Sequence, residues 1–305
     1  MLNKLVAFVR LARPHFLLGG FLLYALGAVI ARYSGYPINF ETYWVGQLYV
    51  TAIQLMTQFL NEYWDVDTDR LNKARTPFSG GSGVLGVPDG LPREAAFTAA
   101  VVCVAVASGA AIWLVLETRL SPGALAIMVL GFLGSYLYSG PPLRLASSGY
   151  GEVVASVVVA GFVPALGHIL QAGRPSSLVL LTIAPLIVFH FAMLLAFEFP
   201  DFLADEAAGK RTLLVRVGRR QGAAIHNAAL LVALGLAVAA TFAGLPPTCS
   251  VATIISAPMV LVQITNIRRM QHGEPVSFGR LTFLAVLIFM ITVYFMAFTY
   301  WVLGT

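Results

Sequence analysis

Two short acidic runs carry the chemistry this chain can offer. Asn61-Glu62-Tyr63-Trp64-Asp65-Val66-Asp67-Thr68-Asp69 closes one long apolar stretch. Glu198-Phe199-Pro200-Asp201-Phe202-Leu203-Ala204-Asp205 closes another and is followed by Gly209-Lys210-Arg211-Thr212. The chain has only 14 Asp and Glu in 305 residues, yet it concentrates them here. Carboxylates at a membrane boundary are costly unless they are hydrated, paired or bound to metal. Helix residues four apart share a face, so Asn61, Asp65 and Asp69 form one stripe, and Asp201 and Asp205 form another. Asp67 is rotated about 200° from Asp65 and is expected to face solvent. Glu62 also falls off the stripe, and Glu198 lies one turn before Asp201. Two facing stripes of hard oxygen suit Mg²⁺, which takes few carboxylates and shares the phosphates of its substrate. An ordinary helix end explains one or two acids but not two spaced sets.

Basic residues close to these runs supply candidate phosphate contacts, Arg through a bidentate fork and Lys as a point charge. They are Lys73, Arg75, Arg144, Lys210 and Arg211. Arg75, Lys210 and Arg211 are preferred because they directly follow the acidic motifs, and Arg13 before Pro14 is a weaker candidate. Tyr138, with Tyr136 and Ser139, precedes Gly140-Pro141-Pro142 at the end of an apolar stretch, where a ring could stabilise a developing cation. Tyrosines also sit at membrane interfaces without any chemical role. His168 and His190 have no acid at helical spacing and read as polar packing. Pro200 loosens its helix beside the second stripe.

What must position these residues is a membrane bundle. The chain is 58% hydrophobic and 11% charged, against roughly 25% charged in a soluble domain, with a mean hydropathy of +0.82. Apolar segments of membrane-crossing length fall at about 15–34, 43–64, 94–116, 121–140, 151–170, 178–200, 221–243, 249–267 and 281–303. The expected fold is therefore all-α: a polytopic bundle of about nine transmembrane helices around a central cavity, with residues 1–305 forming a single domain. Of the 19 Lys and Arg, an inside N-terminus puts sixteen in inner segments, leaving Arg32, Arg119 and Arg174 outside. By the positive-inside rule the N-terminus and both acidic motifs face the cytoplasm, as expected for a multi-pass protein of the cell's inner or plasma membrane. The long loops 65–93 and 201–220 share that face, which is where binding groups and lids reside. Residues 1–13 read as a short interfacial helix before a retained first span, not as a cleaved signal.

The net charge of +5 reflects topology and an attraction to anionic lipid or a polyanionic substrate. It does not point to nucleic acid, since no basic soluble domain is present. Cys103 and Cys249 have no metal-ligand neighbours and do not form a disulfide framework. Each acidic motif follows an even-numbered span and precedes a basic, glycine-containing loop, an echo short of a demonstrable duplication.

The motifs resemble those of the UbiA superfamily of intramembrane prenyltransferases, whose first signature is N-D-x-x-D-x-x-x-D. Here Asn61 through Asp69 matches with Glu62 in place of the usual Asp, a departure off the metal stripe. The second signature, D-x-x-x-D followed by G-K-R-T-L, matches Asp201 to Asp205 and Gly209 to Leu213. Gly80-Gly81-Ser82-Gly83-Val84-Leu85, Tyr138-Ser139-Gly140-Pro141-Pro142-Leu143 and Gly149-Tyr150-Gly151-Glu152 look most like the menaquinone branch, which joins a polyprenyl chain to 1,4-dihydroxy-2-naphthoate with loss of the ring carboxylate. The resemblance implies two Mg²⁺ ions held by Asn61, Asp65, Asp69, Asp201 and Asp205. The substrates it implies are a polyprenyl diphosphate and an aromatic acceptor, and no obligatory protein partner is expected. Other acceptors open to the same motifs are 4-hydroxybenzoate, heme, chlorophyllide and glycerol lipids. A CDP-alcohol phosphotransferase is excluded, because Asp89-Gly90 continues as Leu91-Pro92-Arg93 instead of that family's pattern. A transporter with a carboxylate ion path would place its acids near the bilayer midplane, not at one face.

Overall fold

The computed structural model describes residues 2–304, and every described regular element is helical. In chain order they are α1 (Leu2–Ala12), α2 (Leu17–Tyr33), α3 (Phe40–Leu71), α4 (Arg93–Glu117), α5 (Pro122–Ser139), α6 (Gly151–Ser156), α7 (Val163–Ala172), α8 (Ser177–Ala207), α9 (Leu213–Phe242), α10 (Pro247–Ile254), α11 (Ala257–Gln271) and α12 (Phe278–Leu303). A π-helical stretch, Val157–Phe162, joins α6 to α7 in one continuous span. Local sequence sets several starts. Asn39, Ser121, Ser176, Thr212 and Ser277 each accept a backbone N–H at the start of a long helix, satisfying donors that the helix itself cannot.

All nine predicted spans land on helices. Among the described residues, eight helical segments are both long and apolar enough to cross a membrane; α3 misses that threshold. The reason lies in its inward face, which carries Gln54, Thr57, Gln58, Asn61, Asp65 and Asp69, all lining an interior cavity. The largest boundary differences are also at the site. α3 runs on to Leu71 and α8 to Ala207, so both acidic stripes are carried by helix that continues past the apolar stretch. α9 starts at Leu213 but breaks at Gly218 (φ 77°, ψ 158°), and the predicted span at 221 begins just after that break. The chain is an integral multi-pass membrane protein.

Two helix hairpins frame the interior, α3 with α4 and α8 with α9. Along α4 the buried positions are Ala96, Ala100, Cys103, Ala107, Ala110 and Leu114. Along α9 they include Ala223, His226, Leu230, Ala233, Ala237 and Ala240. Both series alternate steps of three and four residues and consist mostly of alanine, so a small-residue seam lets each backbone approach its acid-bearing partner closely. The hairpins thus echo one another in packing as well as in motif. α2 crosses α7 even more tightly: a Cβ on Gly27 would strike the Pro164 carbonyl, and one on Gly167 the Tyr24 carbonyl. Outward positions such as Val101, Val102, Leu116, Leu130, Phe298 and Trp301 are exposed, as lipid contact requires.

Candidate functional site

One cavity of about 620 Å³ is bounded by α2, α3, α5, α8, α12 and the π-helical stretch. Asn61, Asp65 and Asp69 reach it from α3, Asp201 and Asp205 from α8, Lys210 from the segment before α9, and Tyr138 from the end of α5. The deeper wall is apolar, with Val158, Val159, Phe162, Met193, Phe197 and Met290 among its residues. Leu18 on α2 and Phe283 on α12 line the cavity yet are 57% and 55% exposed. A side opening therefore lies between those two helices.

The two stripes face each other across a lysine. Lys210 Nζ lies 2.9 Å from Asp65 Oδ2 and 3.7 Å from Asp205 Oδ1. Asn61 Nδ2 donates to Asp65 Oδ2 at 3.0 Å and to Ser139 Oγ at 3.3 Å, which leaves its carbonyl oxygen to turn toward a cation. Asn72, the residue ending α3, donates Nδ2 to Asp201 Oδ1 at 2.6 Å. Ser79 and Gly80 also bond Asp201, so the loop after the first stripe is tied to the second. Burial makes the Lys210 ammonium harder to keep charged, but Asp65 and Asp205 outweigh that and raise its pKa. Asp69, beyond the apolar part of α3, is pushed up to about 8 by burial and then by Asp65, against the pull of Lys210. Such a site holds more carboxylate than its own cations can satisfy.

Among the described residues, no three acidic, histidine or cysteine side chains converge closely enough to cage a metal ion. The donors are instead an open set of hard oxygens divided between two helices. That arrangement fits Mg²⁺, which keeps several waters and takes one or two carboxylates together with substrate phosphates.

The basic candidates divide sharply. Of Lys73, Arg75, Arg144, Lys210 and Arg211, the structure brings Lys210 to the cavity, and the other four are exposed away from it. Arg75 donates to the Asp69 carbonyl at 2.5 Å, Arg144 lies over the Trp64 ring at 4.6 Å, and Arg211 accepts Arg216 Nε on its carbonyl at 3.0 Å. These four side chains turn outward although Ser79, Gly80, Gly81, Lys210 and Thr212 in the same loops line the cavity. Arg13, the weaker candidate, is brought to the cavity. It stands 3.7 Å from Glu62 and lies over Phe16. Asp67 is 73% exposed and pairs with Arg70 and Arg93, as its helical phase predicted.

Glu62 has a role the sequence did not reveal. It accepts the backbone N–H of Ser82 at 2.7 Å and its hydroxyl at 2.6 Å, and so fixes the glycine-rich loop over the first stripe. Within that loop Gly81 has φ +67°, and a Cβ there would overlap Asp69 Oδ2. Gly81→Ala should therefore displace Asp69 and lower turnover about 100-fold, the usual result of misplacing reacting groups by about an ångström. Steady-state kinetics with a circular-dichroism control for folding tests this.

The description of the UbiA prenyltransferase family matches residues 20–287. The chain is 26% identical over 259 residues to homogentisate phytyltransferase of Synechocystis sp. (strain ATCC 27184 / PCC 6803 / Kazusa), covering 78% of this chain and 76% of that one. It is 25% identical over 227 residues to 1,4-dihydroxy-2-naphthoate octaprenyltransferase of Bacillus subtilis (strain 168), covering 73% and 70%. Among solved structures, a UbiA homolog from Archaeoglobus fulgidus bound to GPP and Mg²⁺ superposes with a TM-score of 0.70 at 16% identity, covering 97% of this chain and 99% of that one.

Proposed function

The chain belongs to the UbiA prenyltransferase family, and from that premise we propose that it transfers a polyprenyl group from an allylic diphosphate to 1,4-dihydroxy-2-naphthoate. The observation that carries the reading is the convergence of two oxygen-rich stripes and Lys210 on one cavity whose remaining wall is apolar. Asp65, Asp69, Asp201 and Asp205 against Lys210 and Arg13 leave a formal charge of −2. A bound diphosphate ester adds roughly three more negative charges, so two divalent ions bring the site close to neutral. Asn61, Asp65 and Asp69 would hold one ion and Asp201 and Asp205 the other. When bound, Mg²⁺ supplies Lewis-acid neutralisation of the leaving diphosphate.

The protein's own groups do the rest. Lys210 and Arg13 take up charge as the C1–O bond lengthens. Tyr138 presents its ring at the cavity wall, where an allylic cation is stabilised by a π face. The apolar wall excludes water that would quench that cation, and the opening between α2 and α12 gives the prenyl tail a route to the bilayer. The branch assignment is supported by the loop motifs around Gly80, Tyr138 and Gly149 together with the similarity to the Bacillus subtilis enzyme. The charge bias of the loops supports a site facing the cytoplasm.

A panel of 1,4-dihydroxy-2-naphthoate, homogentisate and 4-hydroxybenzoate, assayed with one polyprenyl diphosphate and read by mass spectrometry, tests the acceptor. The expected result is a prenylated naphthol lacking the carboxylate, formed at least about tenfold faster than any other product, a margin that a site hydrogen-bonding its substrate readily supplies. Preferential turnover of another acceptor would overturn the assignment.

A further inference from the structure

The cavity wall holds a second pair of acids that the diphosphate site does not use. Glu152 lies in the first turn of α6, and Glu198 lies on α8 one turn before Asp201. Both line the cavity and both are more than nine-tenths buried, at 6% and 8% exposure. Their carboxyl groups meet. Glu198 Oε2 accepts the Leu214 N–H at 2.7 Å, which anchors the segment carrying Lys210. Oε1 of Glu198 and Oε2 of Glu152 accept from no other donor, so what serves them is the proton the two acids share.

Buried polar atoms are nearly always hydrogen-bonded; a proton shared between the two acids satisfies one oxygen of each and leaves the remaining acceptor capacity of Glu152, which lines the cavity, open to a donor that comes and goes. A hydroxyl fits that acceptor as the donor. The neighbouring groups suit an aromatic ring. Tyr138 stands among Glu152, Asp65, Glu198 and Asp205, and His190, held through Nδ1 by Ser156 Oγ at 3.1 Å, faces the same space. Glu198 is committed to the backbone of α9; Glu152 is the member with freedom to act.

We infer that the Glu152 carboxylate binds the ring hydroxyl next to the acceptor's attacking carbon and takes its proton during transfer, with Glu198 as its positioning partner. This rests on the acceptor chemistry proposed above. The O–H bond breaks toward Glu152, and its electron pair enriches the ring. The carbon bearing the carboxylate bonds to C1 of the prenyl chain while the C1–O pair leaves on diphosphate. Loss of CO₂ returns an electron pair to the ring and through it to the oxygen, which recovers its proton from Glu152. The glutamate ends as it began, so no co-reactant is required.

Glu152→Gln preserves size and removes the base. Turnover of 1,4-dihydroxy-2-naphthoate should fall about 100-fold, in the range for a lost general base. Mg²⁺-dependent binding of an unreactive prenyl thiodiphosphate should stay within about twofold, since uniform binding is untouched. With an analogue whose hydroxyl is already ionised at the assay pH, the variant should recover to within about fivefold of wild type, because no proton remains to be removed. An equal loss on both acceptors, a loss of thiodiphosphate binding, or a variant as active as wild type on the naphthoate would each overturn the inference while leaving the transfer reaction standing. A wild type that prenylates no hydroxyaromatic would overturn both.

Discussion

Asp65→Asn and Asp201→Asn should each lower prenyl transfer by at least about a thousandfold, the scale of losing metal-assisted charge stabilisation worth several kcal/mol at a leaving group. Asparagine keeps the size of the side chain. At position 201 it still offers an oxygen to Asn72, now 2.6 Å from Asp201 Oδ1. At position 65 it loses the charge that holds Lys210 at 2.9 Å. Neither change should lower thermal stability much, because burial, and after it the neighbouring Asp65, already make ionised carboxylate costly in this cluster, as at Asp69. A large kinetic loss with an unchanged melting temperature would place the effect in substrate handling and not in folding. Wild-type turnover in either variant would remove that carboxylate from the diphosphate site.

The second large effect belongs to Lys210. Lys210→Met should reduce kcat/KM for the prenyl diphosphate by about 100- to 1,000-fold, as removal of one preorganised charge-stabilising donor does. Lys210→Arg should recover only part of this, since a planar fork does not occupy the place of a compact ammonium between Asp65 and Asp205. The pH profile separates Lys210 from other groups. Its pKa lies above the ordinary 10.5 because Asp65 and Asp205 outweigh the effect of burial. Its ion pairs therefore contribute fully below that pH and are lost only as pH rises through the higher folded value. Wild-type activity between about pH 6 and 9 should show no limb from this residue. A limb in that range that disappears in Lys210→Arg would contradict the assignment.

Much of the architecture was legible in the sequence because the membrane imposes it locally. Apolar length gave the spans, and helical phase separated Asp67, now 73% exposed, from Asp65 and Asp69. α3 was legible as a span at 43–64, although the polar face it turns to the cavity lowers its apolar character. Lys210 was legible from its place after the second motif, but the pairings of Arg13 and Asn72 were not, because they depend on segments distant in the chain. Arg13 meets Glu62 only after the chain folds across 49 residues of sequence, and Asn72 reaches Asp201 across 129. Arg75 and Arg211 follow the motifs directly, yet Arg75 turns to the Asp69 carbonyl and Arg211 is exposed between Lys210 and Thr212, which line the cavity. Glu62, a departure from the family signature, gave no sign in its spacing that it holds Ser82.

The most direct test of the account is coupled product formation in detergent. Purified protein is given a polyprenyl diphosphate and 1,4-dihydroxy-2-naphthoate, and released pyrophosphate and prenylated product are measured together, with Mg²⁺ and with excess EDTA. The account predicts equal amounts of both products with Mg²⁺ and the loss of both in EDTA, restored on adding the metal back. Full turnover in EDTA, or pyrophosphate release without a prenylated aromatic product, would contradict it.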